Sequence, residues 1–144
     1  MFSLASMARA TPNFSGEWKM NIALSEFGPV PAPEMLTRSI KHEDPSLQIS
    51  TYQKGAQGES RTELKYTTDG APSVNKLPGG DATGTAKWDG YRLIIDSTRE
   101  FAGKKITYRE VWALSGGGKV LTISSHVNIP GQGEFDLKYV FDKQ

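Results

Sequence analysis

The run ITYREVWAL, residues 106–114, alternates as a strand does: Ile106, Tyr108, Trp112 and Leu114 fall on one face, and Thr107, Arg109, Val111 and Ala113 on the other. Glu110 breaks the pattern by setting a carboxylate in the middle of the more apolar face. Such a group is costly to desolvate unless it is paired. Three uses are open to it: an internal hydrogen bond or ion pair with Arg38 or a tyrosine, orientation of a bound molecule, or proton transfer with Tyr108 beside it. Other candidate chemistry is weaker. The alternation turns His126 outward and His42 inward near one end, where a capping hydrogen bond is the expectation, and two isolated histidines do not make a zinc site. No Ser-His-Asp arrangement follows from the spacing. The glycines at 116–118 precede no helix and so do not read as a phosphate cradle. With no cysteine in the chain, disulfides, thiolate chemistry and cysteine zinc sites are excluded. The sequence implies no cofactor and no metal.

The elements that must position these groups are short strands. Turn signals recur about every ten residues, among them Asp44-Pro45, Asp69-Gly70, Asp89-Gly90 and Ala102-Gly103, and no window keeps a helical period. Ten strands are expected near 14–21, 35–43, 46–54, 59–68, 71–76, 81–88, 91–101, 104–114, 119–128 and 134–142. The fifth is the weakest, because Pro72 removes a ladder donor. Turn lengths set the register. A two-residue turn at Asp89-Gly90 places Trp88 opposite Tyr91 and Ala86 opposite Leu93. A turn at Ala102-Gly103 places Arg99 opposite Ile106, Ser97 opposite Tyr108 and Ile95 opposite Glu110. A four-residue turn at 115–118 places Trp112 opposite Leu121 and Glu110 opposite Ile123. Further pairs are Val127 with Phe135, Ile123 with Tyr139, Ile40 with Ile49, Arg38 with Thr51, and Ile49 with Leu64. With short connections throughout, the expected fold is all-β: a closed antiparallel up-and-down barrel of about ten strands, rather than a sandwich with crossovers.

Length and charge narrow the function. The 144 residues suit one domain, read as 13–144, and the 37% hydrophobic content suits a β protein with a wet outer face. The net charge of +1 comes from scattered residues, giving neither a nucleic-acid footprint nor a basic membrane patch. No apolar run is long enough to insert as a spanning helix. Residues 1–12 read as a disordered leader. The first ten, MFSLASMARA, resemble the tail of a secretory signal but with too short an apolar region. A periplasmic or secreted location and a cytoplasmic one are both open, as is the oligomeric state.

The segment Asn13-Phe14-Ser15-Gly16-Glu17-Trp18 resembles the first-strand Gly-x-Trp signature of the lipocalins and fatty-acid-binding proteins, the calycin group. Lys87-Trp88-Asp89-Gly90 and the ending Tyr139-Val140-Phe141-Asp142-Lys143 resemble the fatty-acid-binding branch, which also has ten strands. The resemblance runs from about Asn13 to the end, with Gly16 and Trp18 carrying the motif. It implies a bacterial lipocalin-like binder. Two departures stand out. Where that branch has two helices after the first strand, this chain has Pro29, Pro31 and Pro33, which exclude helix. The Arg-x-Tyr carboxylate clamp is replaced by Leu137-Lys138-Tyr139, with Lys138 pointing outward.

Following the chain up and down sorts inward residues by height. One end collects Phe14, Trp18, Leu47, Tyr66, Trp88, Tyr91, Trp112, Leu114, Leu121 and Phe141, an aromatic plug. The other is smaller and more polar, with Ala82, Gly84 and Ala86 leaving space, and the proline-rich segment 22–34 reads as a lid over it. The leading expectation is a binding module for a small, mostly apolar or amphipathic ligand, oriented by Arg38, Thr51, Thr62, Ser97, Arg99, Tyr108, Glu110, Ser125 and Tyr139. Behind it stand a small-barrel cyclase or isomerase using Glu110 and Tyr108 on a confined substrate, and a solid barrel acting through its surface.

Overall fold

The structure is a computed structural model describing residues 11–144; the leader expectation for residues 1–10 lies outside the described residues. Ten strands follow one another: β1 (Gly16–Met20), β2 (Met35–Glu43), β3 (Ser46–Gly55), β4 (Gly58–Thr67), β5 (Ser73–Asn75), β6 (Ala82–Asp89), β7 (Arg92–Phe101), β8 (Lys104–Ser115), β9 (Val120–Ile129) and β10 (Gly133–Lys143). They form one antiparallel sheet in the order β4-β3-β2-β1-β10-β9-β8-β7-β6-β5. The first and last strands therefore meet, pairing Trp18 with Lys143 and Met20 with Phe141. The result is a nearly closed barrel.

The opening lies between β4 and β5, which no ladder joins. At the plugged end it is bridged by an isolated Asp69–Lys87 pair and by the Gly70 amide donating to the Ala86 carbonyl at 3.0 Å. Farther along, buried Asn75 bridges it with its side chain. The Lys65 amide donates to Asn75 Oδ1 at 2.8 Å, and Asn75 Nδ2 donates to the Lys65 carbonyl at 3.2 Å. The carboxamide thus supplies the donor and acceptor that a neighbouring strand would.

The register expected from the turns holds for β2–β3, β3–β4, β7–β8 and β9–β10. It shifts in two hairpins. Between β6 and β7 the closing pair is Asp89–Arg92, with Gly90 at φ +64° opening the loop, so Trp88 faces Leu93 and Ala86 faces Ile95. Between β8 and β9 three glycines in succession adopt positive φ and push the loop one residue on, so Trp112 faces Ile123 and Glu110 faces Ser125. Each shift changes partners by two residues, so every strand keeps its inward face. Tyr91, expected inside, falls in the displaced turn and is half exposed.

The plug forms around Phe14, which stacks on His42 (5.6 Å) and Trp88 (5.8 Å) and meets Trp112 edge-on (5.4 Å). Trp18, Leu47, Trp112, Leu121 and Phe141 are buried with it. His42 caps this end as expected: its Nδ1 accepts from the Phe14 amide at 3.1 Å, and its Nε2 lies 2.5 Å from Asp44 Oδ1. Burial pushes the Asp44 carboxyl up, but hydrogen bonds from His42, Thr68 and Trp88 outweigh it and hold the group below the usual carboxylate range.

The segment after β1 divides in two. Its first half stays bonded to β10: Asn21 donates to the Val140 carbonyl, a 3-10 turn (Ile22–Leu24) bulges outward, and Glu26 bridges Lys138. Ile22 and Phe27 pack on the core. The three prolines follow this turn and sit outside any helix, as their geometry requires.

Candidate functional site

A cavity of about 150 Å³ lies inside the barrel above the plug. Its apolar wall is Ile49 from β3, Leu64 from β4, Ala82 from β6 and Leu77 from the loop after β5, with the Trp112 indole beneath. Its polar groups are Arg38 from β2, Tyr66 from β4, Ser97 and Arg99 from β7, and Tyr108 and Glu110 from β8. Strand alternation brings them together: each sits at an even-spaced inward position. A larger hollow of about 730 Å³ is lined by solvated groups such as Asp81, Thr83 and Lys105, and another of about 370 Å³ by residues that include Arg38, Thr51 and Thr62.

Glu110 faces this cavity, and its Oε1 accepts a hydrogen bond from Trp112 Nε1, two residues along the same face, at 3.0 Å. No ion pair joins it to Arg38 among the described residues. Arg38 is held separately. Its Nε donates to Thr51 Oγ1 at 3.1 Å, and its guanidinium lies over the rings of Phe141 (5.3 Å) and Trp112 (5.9 Å). Opposite charges thus stand in one chamber, each with a neutral partner.

The tyrosines report the same field. Burial, helped by the Glu110 carboxylate, pushes the Tyr66 hydroxyl up to about 12, against the pull of Ser97 and Arg38. Burial raises Tyr108 as well, with Arg99 opposing and Glu110 adding, and it raises Tyr139, with Glu110 adding and Arg38 opposing. All three are therefore neutral hydrogen-bond donors at ordinary pH. A raised hydroxyl is a poorer proton source, which works against Tyr108 as a general acid.

Arg99 has divided contacts. One terminal nitrogen donates to the Pro78 carbonyl, and the guanidinium lies 5.4 Å from the Phe101 ring. Its Nε is buried with no hydrogen-bond partner, the one such side-chain atom among the described residues.

Of the nine residues expected at the site, Arg38, Ser97, Arg99, Tyr108 and Glu110 line the cavity. The other four do not line it, and Thr51 and Thr62 line a separate hollow together with Arg38. Thr51 holds Arg38, Thr62 pairs with Thr51, Ser125 is buried opposite Glu110, and Tyr139 packs on Phe27 with ring centres 5.9 Å apart. Tyr66 and Trp112, sorted into the plug by height, form part of the cavity wall, and so does Leu77, which the sequence marks only as the start of a turn running to Gly80. His126 points outward as expected. Its Nδ1 lies 2.6 Å from Asp136 and its Nε2 3.0 Å from Glu134, so the carboxylates sit at opposite edges of the ring. No group of His, Asp and Glu is placed to hold a metal ion among the described residues, and no helix among them is long and apolar enough to cross a membrane.

A ten-stranded antiparallel near-barrel around an internal chamber is the calycin fold in the form of the fatty-acid- and bile-acid-binding proteins. Solved structures agree. The chain is similar to zebrafish ileal bile acid-binding protein complexed with cholic acid (TM-score 0.65, 19% identity, 91% of this chain and 98% of that one). It is similar to a secretory abundant heat soluble protein of Ramazzottius varieornatus (TM-score 0.65, 11% identity, 95% and 98%). A third is human cRBP IV (TM-score 0.58, 15% identity, 92% and 98%). No protein-family model and no curated protein matches the chain.

Proposed function

We propose that the protein binds a small amphipathic molecule inside the barrel, with Glu110, Arg38 and the tyrosine hydroxyls orienting it. The observation that carries this reading is the chamber itself, lined both by the apolar side chains of Ile49, Leu64, Leu77 and Ala82 and by an acceptor, cationic donors and neutral hydroxyls. Glu110 suits a hydroxyl or amine on the ligand, and Arg38 suits an acceptor. Thr51 supports Arg38 through its hydroxyl, and Thr62, Ser125 and Tyr139 complete the set. The resemblance to a bile acid-binding protein is consistent with the chamber's use.

Size sets the class of ligand. A chamber of about 150 Å³ is on the scale that admits one benzene-sized ring, whereas drug-sized ligands occupy roughly 300–1,000 Å³. The resting cavity therefore takes a single ring or a short chain. The test is titration with benzyl alcohol, read by tryptophan fluorescence and by amide NMR shifts. Saturable binding is expected, with shifts confined to β2–β4 and β6–β8, and Ser97→Leu, which fills the chamber, should abolish it while the barrel stays folded. Unchanged binding in Ser97→Leu would place the probe elsewhere and end the proposal.

A further inference from the structure

We infer that the free edge of β4 is a self-association surface: residues 59–65 pair antiparallel with the same segment of a second copy of this chain, joining two barrels through one continuous sheet. The surface lies on the rim of the sheet and does not depend on what the chamber holds.

A strand at the end of a sheet presents its outer backbone groups unpaired. β4 ends this sheet on one side, and β5 ends it on the other. Asn75, the last residue of β5, takes both backbone groups of Lys65 with its side chain. Backbone direction alternates along a strand, so Glu59, Arg61 and Glu63 turn their N–H and C=O groups the same way as Lys65. Past Asn75 no strand is there to meet them, because the chain leaves β5 for the loop 76–81. Among the described residues no ladder and no loop hydrogen bond reaches these groups. Glu59, Arg61, Glu63 and Lys65 are all exposed.

The side chains choose the partner. Along its outer face the strand reads Glu59, Arg61, Glu63, Lys65, alternating in sign. Among the described residues none of them is in an ion pair. Their partners are neutral: Glu59 accepts from the Tyr52 hydroxyl at 2.7 Å, Glu63 from the Ser50 hydroxyl at 3.4 Å, and the Arg61 guanidinium lies 4.8 Å from the Tyr52 ring. Antiparallel pairing centred on Thr62 sets Arg61 against Glu63 of the second copy and Glu59 against its Lys65, and two-fold symmetry repeats both contacts. The same register sets outward backbone groups opposite one another, so Arg61 and Glu63 exchange hydrogen bonds across the seam. Other registers fail on charge. Centring on Arg61 opposes Glu59 to Glu63, centring on Glu63 opposes Arg61 to Lys65, and centring on Ser60 keeps only Arg61 against Glu59. A charged edge usually holds copies apart; this order of charges admits a second copy in one register. The contact is small, so the dimer forms at high concentration and dissociates on dilution.

Sedimentation velocity on the whole protein, from micromolar to millimolar concentration, reads the association, and amide hydrogen exchange locates it. The wild type should dimerise toward the upper end, with the Arg61 and Glu63 amides slowing as the dimer forms and with added salt weakening it. Arg61→Glu and Glu63→Arg should each weaken association about tenfold or more, because like charges then face each other across the seam. Mixing these two variants should give a heterodimer, and Arg61→Glu combined with Glu63→Arg in one chain should dimerise as the wild type does, since both arrangements restore opposite charges in the same register. Circular dichroism checks that each variant keeps its strands. A wild type that stays monomeric at millimolar concentration, or a dimer indifferent to both single substitutions, overturns the proposal. So do single-variant losses that neither mixing nor the double substitution repairs.

Discussion

The carboxylate of Glu110 shows how one residue can be unexpected in pattern and still well placed. Its acceptor is used by an indole on its own strand, so the group is fixed without an ion pair and keeps one oxygen for the chamber. His126 is the outward counterpart. Hydrogen bonds to Glu134 and Asp136 raise its pKa above the ordinary value, with burial opposing slightly. A raised folded pKa means the pairing stabilises the protein fully below about pH 6.5 and is lost as pH rises through the folded value. Following the ring protons by NMR should give a His126 pKa above the free-histidine value, and Asp136→Asn should lower it. A wild-type value at or below that of free histidine would show the two carboxylates to be idle in solution. The ring is exposed, so the effect on stability is small and should weaken with salt.

Among the elements, β5 is the least secure. It has three residues and follows Pro72, and one side chain, Asn75, fastens it to β4. Asn75→Ala removes both hydrogen bonds and strands two backbone groups of Lys65, which should cost about 1–3 kcal/mol in urea unfolding. Asn75→Asp, which keeps the acceptor and loses the donor, should fall between. Equal stability of all three would mean that water replaces the clip at no cost. The element scale is also where the sequence was most and least informative. Alternation located all ten strands, and Ala102-Gly103 set its register because both residues adopt the positive φ that a two-residue hairpin loop needs. At Asp89-Gly90 the same turn signal misplaced the loop by one residue, since only Gly90 takes a positive φ and the Asp89–Arg92 ion pair closes the strand beyond it. The face of each strand was legible, and with it five residues of the chamber. The heights of Tyr66 and Trp112, and the part played by Leu77, were not. They depend on how strands tilt across the barrel and on where the sheet fails to close, and neither leaves a mark in local periodicity.

For the whole molecule the decisive seam joins strands at opposite ends of the chain. β1 and β10 pair over only three registered positions, between residues about 120 apart in sequence. Closing so long a loop is entropically costly and is rewarded only when the aromatic plug forms with it. The hairpins β2–β3–β4 and β7–β8–β9 need no such closure. The meander should therefore assemble first and the seam last. Trp18 sits at the seam, buried, with its Nε1 donating to the Phe14 carbonyl at 2.9 Å. Trp18→Ala should destabilise by about 3–5 kcal/mol, and stopped-flow chevrons should show the loss chiefly as faster unfolding, because contacts made after the transition state weigh on that limb. Ile49→Val, within the β2–β3–β4 meander, should instead slow folding. If Trp18→Ala slows folding in proportion to its destabilisation, the ends of the chain meet early, and the barrel is built around its seam rather than closed by it.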